Sequence, residues 1–312
     1  MIDKNEKCYV AGHRGMVGSA VVTKLKEAGY SNIIGRSSKE LDLTNQQAVE
    51  KFFQQEKPHY VILAAAKVGG IGANIKYPAE FLYQNLSIQN NVIHFAYKCG
   101  VQKLVFLGSS CIYPRECPQP MKEEYLLTGK LEPTNEGYAI AKIAGLKMLE
   151  YYHKQYGMKG FSVMPCNLYG TNDSFDPSHS HVLSALVKKF VDAVDNKESK
   201  VEIWGSGNAR RELMHVNDCA DAVVYLFENY EGADFINVGT GEDVSIRELA
   251  EEIAKETEFV GELVFDHSKP DGMPRKCLDV NRLSTMGFKH KISLAQGIKQ
   301  TVSEYKKSKN LK

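Results

Sequence analysis

The stretch Cys8-Tyr9-Val10-Ala11-Gly12-His13-Arg14-Gly15-Met16-Val17-Gly18 decides how the rest of the chain reads. Residues 7–10 form a short apolar run that stops at a cluster of glycines. Behind the glycines Val17, Ala20, Val21, Leu25 and Ala28 recur at helical spacing, and Gly29 closes the pattern. Strand, glycine turn and helix in that order give GxxGxxG a physical task. The glycines permit a tight turn and let the main chain approach a pyrophosphate. The helix N-terminus behind them offers unpaired N–H groups and a positive dipole end. A glycine-rich turn without a ligand is the bland alternative, and the strand–turn–helix context argues against it.

Outward from this unit the alternation continues. Residues 32–34 read as a second strand, 45–55 as a helix capped by Thr44 or Asn45, and 60–64 as a buried strand. Residues 78–99 read as a long helix closed by Gly100, and 103–107 as another strand. A proline-containing loop leads to a helix over 136–156 and a strand over 160–164. Near-continuous apolar strands joined by helices through short links predict an α/β fold with a parallel, doubly wound sheet. Past Pro165 the regularity weakens. Residues 172–181 are polar and turn-like. Helices are expected near 181–195, 217–230, 245–256 and 293–306, with short strands near Val201 and Phe235. The chain thus divides into a dinucleotide-binding part, 1–165, and a smaller, mainly substrate-binding part, 166–312, with some elements returning to the sheet.

The 312 residues are 43% hydrophobic and 25% charged, enough to bury a core without disulfides or metals. A net charge of +1 supplies no global field for nucleic acid or anionic lipid, so any attraction for phosphate must be local. Seven cysteines without a CxxC read as free thiols in a reducing compartment. Residues 1–7 lack the apolar core of a signal peptide, and the apolar run 60–66 is too short to span a bilayer. A cytoplasmic protein with no metal, membrane or nucleic-acid partner is expected.

The end of the second strand bears on the cofactor. An acidic residue there would bond the ribose hydroxyls of NAD. This chain has Gly35-Arg36-Ser37-Ser38 instead. Arg36, with Arg14, suits a 2′-phosphate to which the serines donate, so NADP is predicted; a solvated arginine is the alternative. Asp42 either contacts the adenine or starts the next helix.

Tyr138 and Lys142 are four residues apart near the start of a helix, which puts both on one face. An ammonium beside a phenol is expected to lower the tyrosine pKa and let it exchange a proton with a carbonyl oxygen. Alone, YxxxK is an ordinary surface pair. Its companion is the run Lys103 to Leu107 followed by Gly108-Ser109-Ser110. A serine at the carboxyl end of a sheet strand sits where open α/β sheets bind ligands. Glycine loop, strand-end serine and tyrosine–lysine pair, in this order, point to hydride chemistry at a carbonyl.

These residues resemble the extended short-chain dehydrogenase/reductase family over 10–279. The resemblance implies a Rossmann-type sheet. Further stretches narrow it: Leu107-Gly-Ser-Ser-Cys-Ile-Tyr-Pro, Glu132-Pro-Thr-Asn, Asn167-Leu-Tyr-Gly, Ser180-His-Val, Trp204-Gly-Ser-Gly and Lys269-Pro-Asp-Gly. With them the chain resembles those members that convert GDP-4-keto-6-deoxy-D-mannose to GDP-L-fucose, epimerising C-3 and C-5 and reducing C-4 with NADPH. The resemblance implies Cys111 as base and His181 as acid, with His179 the rival for the acid role. It implies cofactor contacts from the glycine loop 12–18, Arg36, Ser38, Asp42, Leu43, Leu107, Gly108, Ser109, Ser110, Lys142, Pro165, Asn167, Leu168 and His181. It also implies a nucleotide-sugar pocket lined by Lys189, Trp204, Arg211 and Asp271, and a homodimer through the two long helices. Ser38 stands where some relatives carry a second arginine, and Lys189 where some carry arginine. The rival functions are an NAD-retaining nucleotide-sugar 4,6-dehydratase or 4-epimerase, and a non-catalytic NADP-binding regulator.

Overall fold

The apolar runs of the first half pair into one parallel sheet in a computed structural model that describes residues 2–176, 180–269 and 271–310. In chain order the first half holds β1 (Cys8–Ala11), α1 (Met16–Glu27), β2 (Ile33–Ile34), α2 (Gln46–Glu56), β3 (Tyr60–Leu63), α3 (Ile71–Lys76), α4 (Pro78–Lys98), β4 (Lys103–Leu107), α5 (Glu136–Tyr156) and β5 (Gly160–Pro165). Then come β6 (Asn167–Tyr169), α6 (Val182–Asp195), β7 (Lys200–Trp204), β8 (Arg210–His215), α7 (Val216–Asn229), β9 (Ile236–Val238) and β10 (Asp243–Ser245). The chain continues through α8 (Ile246–Thr257), β11 (Glu262–Asp266), β12 (Arg275–Lys276), α9 (Asn281–Thr285) and α10 (Leu294–Asn310).

The main sheet runs β2-β1-β3-β4-β5-β9, and every pairing in it is parallel. From β1 the chain first moves outward to β2 and then crosses back to β3 on the other side. The strand order therefore reverses between β1 and β3, and ligands of open α/β sheets bind in the crevice at that point. Both faces are covered, so Val10, Val61, Ile62, Val105 and Phe161 have no exposed surface. A smaller sheet, β10-β8-β12 with β6 also paired to β8, and the pair β11-β7 lie outside the main sheet. A second apolar core joins Leu183, Val187 and Phe190 of α6 to Leu249 and Ile253 of α8 and Ile298 and Val302 of α10. Their spacing is that of helix faces turned towards one another.

The long helices and the strands of the first half fall within a residue or two of their expected limits. Asn45, not Thr44, caps α2: its side chain accepts from the Ala48 N–H at 3.1 Å. The helix α3, the strands β6, β8, β10, β11 and β12, and the short α9 carry no pattern in the sequence that announces them. β8 reads RRELMH, too charged to signal a strand. Its charges are met in the fold: Arg210 and Arg275 both pair with the Asp243 carboxylate, while main-chain donors bind Glu212. Among the described residues no helix is long and apolar enough to cross a membrane.

Candidate active site

Gly12 follows β1 at the switch point with φ +84°, a conformation other residues rarely adopt. A Cβ there would stand 2.7 Å from the Ala65 main-chain nitrogen just past β3. A Cβ on Gly18 would meet the Gly12 carbonyl oxygen at 2.1 Å. The loop and the first turn of α1 are thus pressed together, with Gly15 as an N-cap that has no side chain to occupy the helix end. His13 Nδ1 nearby is buried without a hydrogen-bond partner. Free main-chain donors beside an unsatisfied buried nitrogen suit the pyrophosphate of a dinucleotide.

Arg36 is not the free cation expected. Its guanidinium donates to Glu56 Oε1 at 2.6 Å and to the Gly35 carbonyl at 2.9 Å, and lies 5.7 Å from the centre of the Phe52 ring. Lys7 shares the same carboxylate at 2.9 Å, so one acid is set against two cations. The Ser37 N–H and hydroxyl both donate to Glu40 Oε2, at 2.7 and 2.6 Å. Asp42 Oδ1 accepts from the Thr44 N–H and hydroxyl in a turn at the entry to α2. Ser38 is exposed and Leu43 packs against the main core.

The carbonyl chemistry is laid out at the end of β4. Leu107 and Gly108 lead to Ser109, whose hydroxyl accepts from the Cys111 N–H at 3.3 Å, while Ser110 is buried behind it. Lys142, 3% exposed, donates to the Leu107 carbonyl at 2.7 Å, with its Nζ 5.7 Å from the centre of the Tyr138 ring. Burial raises the Tyr138 phenol above its ordinary range, negative charge at Cys111 adds to this, and a hydrogen bond with Ser109 works against it. Burial also pushes the Lys142 ammonium down to about 7. This corrects the expectation that the lysine lowers the phenol: in the free protein desolvation dominates both groups.

Cys111 differs from the other cysteines, all seven being free thiols. Burial pushes Cys8, Cys219 and Cys277 up to about 12, which leaves them inert. Cys111 is half-buried, and its sulfur accepts from Asn135 Nδ2 at 3.2 Å and from Lys276 Nζ at 3.4 Å. Neither residue was singled out in the sequence. Asn135 lies inside the quoted Glu132-Pro-Thr-Asn stretch, one place before a helix, where an asparagine reads as a cap. Lys276 is 165 residues away from Cys111 and carries no local signal.

Pro165 ends β5, two residues past the Val163 that pairs with Leu107 of β4, and Asn167 and Leu168 lie in β6, which pairs with β8. His181 is the exposed N-cap residue of α6. Among the described residues no hydrogen bond joins it to Cys111, and its rival His179 lies outside them. Trp204, 62% exposed, has the Lys189 and Lys269 ammonium groups over its ring, 5.7 and 5.6 Å from the ring centre. Arg211 donates to the carbonyls of Arg210, Met273 and Asp271 and so folds the 271–273 turn around itself. Burial lowers its pKa, against the Asp271 and Glu132 carboxylates. The Asp271 side chain accepts from the Ser206 N–H and hydroxyl at 2.7 and 2.8 Å. Among the described residues no cluster of His, Cys, Asp or Glu is suited to hold a metal.

Similar proteins match this chain over nearly its full length. GDP-L-fucose synthase 1 of Arabidopsis thaliana is 54% identical over 99% of this chain and 95% of its own. GDP-L-fucose synthase of Escherichia coli K12 is 51% identical over 95% of each chain. The solved structure of a GDP-mannoheptose C4 reductase from Campylobacter jejuni with NADP bound superposes with a TM-score of 0.89, at 40% identity over 98% of this chain and 100% of the other. Residues 8–239 match the NAD dependent epimerase/dehydratase family, and the chain belongs to it.

Proposed function

We propose that this chain converts GDP-4-keto-6-deoxy-D-mannose to GDP-L-fucose, epimerising C-3 and C-5 and then reducing the C-4 ketone. The observation that carries the reading is the meeting of Ser109, Cys111, Tyr138 and Lys142 at one strand end, with an amide and an ammonium donating to the cysteine sulfur. The names of the relatives support the same substrate. NADP fits the glycine loop, with Arg14 as the cation for its 2′-phosphate; Arg36 joins it only by giving up its ion pair with Glu56. NADPH, when bound, supplies the hydride that C-4 receives.

The hydrogens on C-3 and C-5 are both α to the ketone. Cys111 takes a proton from carbon, the C–H electron pair moves into the enolate, and His181 returns a proton from the opposite face. Ser109 and Tyr138 donate to the ketone oxygen and stabilise the enolate charge. A phenol whose pKa is raised keeps its proton until the reduced oxygen needs it, so Tyr138 is the acid of the second stage. Lys142 holds the cofactor ribose. Arg211 and Lys189 would neutralise the diphosphate, Trp204 would stack on the base or sugar, and Asp271 would fix the turn around Arg211.

In this reading 1–165 is the cofactor part and 166–312 the substrate part, the latter lending β9 to the main sheet. The free thiols support a cytoplasmic site of action. Exposed Tyr83 on α4 and Ile140 and Tyr151 on α5 support a homodimer through these two helices. Light scattering should then give twice the monomer mass.

The deciding experiment incubates the protein with GDP-4-keto-6-deoxy-D-mannose and NADPH in heavy water and reads the product by NMR. Deuterium at C-3 and C-5 with inverted stereochemistry and matched NADPH oxidation is expected. Reduction without exchange would leave a plain keto-sugar reductase. No reaction, with NAD retained on the purified protein, would favour a 4,6-dehydratase or 4-epimerase.

A further inference from the structure

Two N–H donors reach the Cys111 sulfur from distant parts of the chain. Asn135 immediately precedes α5, and Lys276 ends β12. An asparagine in the N-cap place ordinarily accepts from the first turn of its helix, yet Asn135 makes no such bond. Its Nδ2 is turned to the sulfur at 3.2 Å. Its Oδ1 is buried with no hydrogen-bond partner at all. A buried acceptor left alone is destabilising, so a donor from outside the chain is the natural occupant of that place. Lys276 is fixed by the strand it ends. It pairs in register with Arg211 on β8, and the next two residues are tied down by Cys277 N–H to Gln119 Oε1 at 3.0 Å and Leu278 N–H to Glu212 Oε2 at 2.8 Å.

We propose that Asn135 and Lys276 are positioning residues of the epimerising stage, and that Asn135 Oδ1 accepts a hydroxyl of the sugar. The inference rests on Cys111 being the base. Both contacts direct an N–H at the sulfur's lone pairs, and neither offers an acceptor to an S–H proton. A sulfur held in this way has its remaining lone pair directed to the pocket, where it forms the S–H bond as the C–H bond breaks and its electron pair enters the enolate. The same amide then ties the sugar to the sulfur: one end fixes the base, the other the hydroxyl-bearing carbon. Sequence separation hides the arrangement, because β12 belongs to the small sheet that also carries Arg211.

The test is deuterium wash-in at C-3 and C-5 of GDP-4-keto-6-deoxy-D-mannose in heavy water, with NADP in its oxidised form so that exchange is read without reduction. The variants are Asn135→Asp, which keeps the shape but removes the donor, Lys276→Met, Lys276→Arg and Cys111→Ala. NADPH binding by fluorescence titration and carboxymethylation of Cys111 followed by peptide mass are read alongside. Exchange should fall on the order of 10- to 100-fold in Asn135→Asp and Lys276→Met, less than the roughly 10²- to 10⁴-fold that a positioned base itself contributes, because the base remains. Lys276→Arg should recover part of it, and NADPH binding should hold throughout. The carboxymethylation rate should follow the same rank order. Normal exchange in Asn135→Asp and Lys276→Met, with none in Cys111→Ala, would overturn the positioning role and leave Cys111 as base. Normal exchange in Cys111→Ala would overturn the base assignment and this inference with it. Loss of NADPH binding together with exchange in both variants, unrepaired by Lys276→Arg, would make the two residues structural and overturn the inference as well.

Discussion

Tyr138 and Lys142 are each held towards their neutral form by burial, and that sets what each does when replaced. In Tyr138→Phe no phenol remains to protonate the C-4 oxygen. Single-turnover NADPH oxidation should fall by roughly 10²- to 10⁴-fold with NADPH binding retained; near-normal reduction would remove the tyrosine from the mechanism. Lys142 has a second consequence. The unfolded chain holds this lysine charged up to its ordinary value of 10.5, while the folded chain releases the proton at about 7. The unfolded state therefore binds the extra proton between these limits, and the native protein loses stability as pH falls from 10.5 to 7. Lys142→Met removes that loss. Its stability advantage over the parent should be greatest at pH 7 and below, and smaller at pH 9 by roughly 3 kcal/mol, about 1.4 kcal/mol per pH unit. Urea unfolding at the two pH values checks it, and a difference that ignores pH would show the lysine charged in the fold. Both residues were legible because they share one helix face with a strand-end serine close by. Lys276 was not, since only the folded chain brings it to Cys111.

The glycine loop works as part of α1 and not as a set of separate residues. Its fit depends on Gly18, one turn into the helix, lying against the Gly12 carbonyl. In Gly18→Ala a Cβ 2.1 Å from that oxygen forces the helix off the loop, and the free N–H groups of its first turn move with it. Overpacking of this kind costs about 1–3 kcal/mol. NADPH affinity should fall roughly tenfold or more, since 1.4 kcal/mol is a factor of ten, and the affinity for 2′,5′-ADP, which lacks the nicotinamide half, should fall less. An unchanged NADPH affinity would mean the loop binds no pyrophosphate. Elements of this kind were readable from sequence: long apolar faces and glycine punctuation locate α1, α4 and α5 within a residue or two. The strands of the small sheet were not. β8 is stabilised as a strand by partners on either side, β10 and β12, and no alternation of its own sequence announces it. Since β8 carries Arg211 and β12 carries Lys276, the part of the fold hardest to read holds residues proposed for the substrate side.

At the scale of the molecule, Glu212 joins pieces that the sequence keeps far apart. It sits on β8, is 1% exposed, and accepts from Gly241 N–H at 2.7 Å and from Leu278 N–H at 2.8 Å. Gly241 lies in the turn that follows β9, the last strand of the main sheet, and Leu278 follows β12. One carboxyl thus links the main sheet, the small sheet and the segment that presents Lys276. Burial pushes this carboxyl up to about 7, against the main-chain donors that favour its charge. In the unfolded chain it would ionise near its ordinary value of 4.5. Between these limits the native state holds a proton that the unfolded state has released. The stability this contributes is present in full below 4.5 and is lost as pH rises through 7. Glu212→Gln cannot titrate, so the parent should lose roughly 3 kcal/mol relative to the variant between pH 4.5 and 7.5, at about 1.4 kcal/mol per pH unit. Urea midpoints of both proteins across that window measure it; parallel curves would mean the carboxylate is charged throughout. The variant also places an amide N–H₂ where one of the two main-chain donors needs an acceptor; with the amide oxygen kept by Gly241, the Leu278 N–H loses its partner, which should loosen β12 while leaving the glycine loop alone. KM for the nucleotide sugar should therefore rise with NADPH affinity unchanged. A fall in both would show that the two sheets respond as one unit, so that the clamp supports the cofactor side as much as the substrate side.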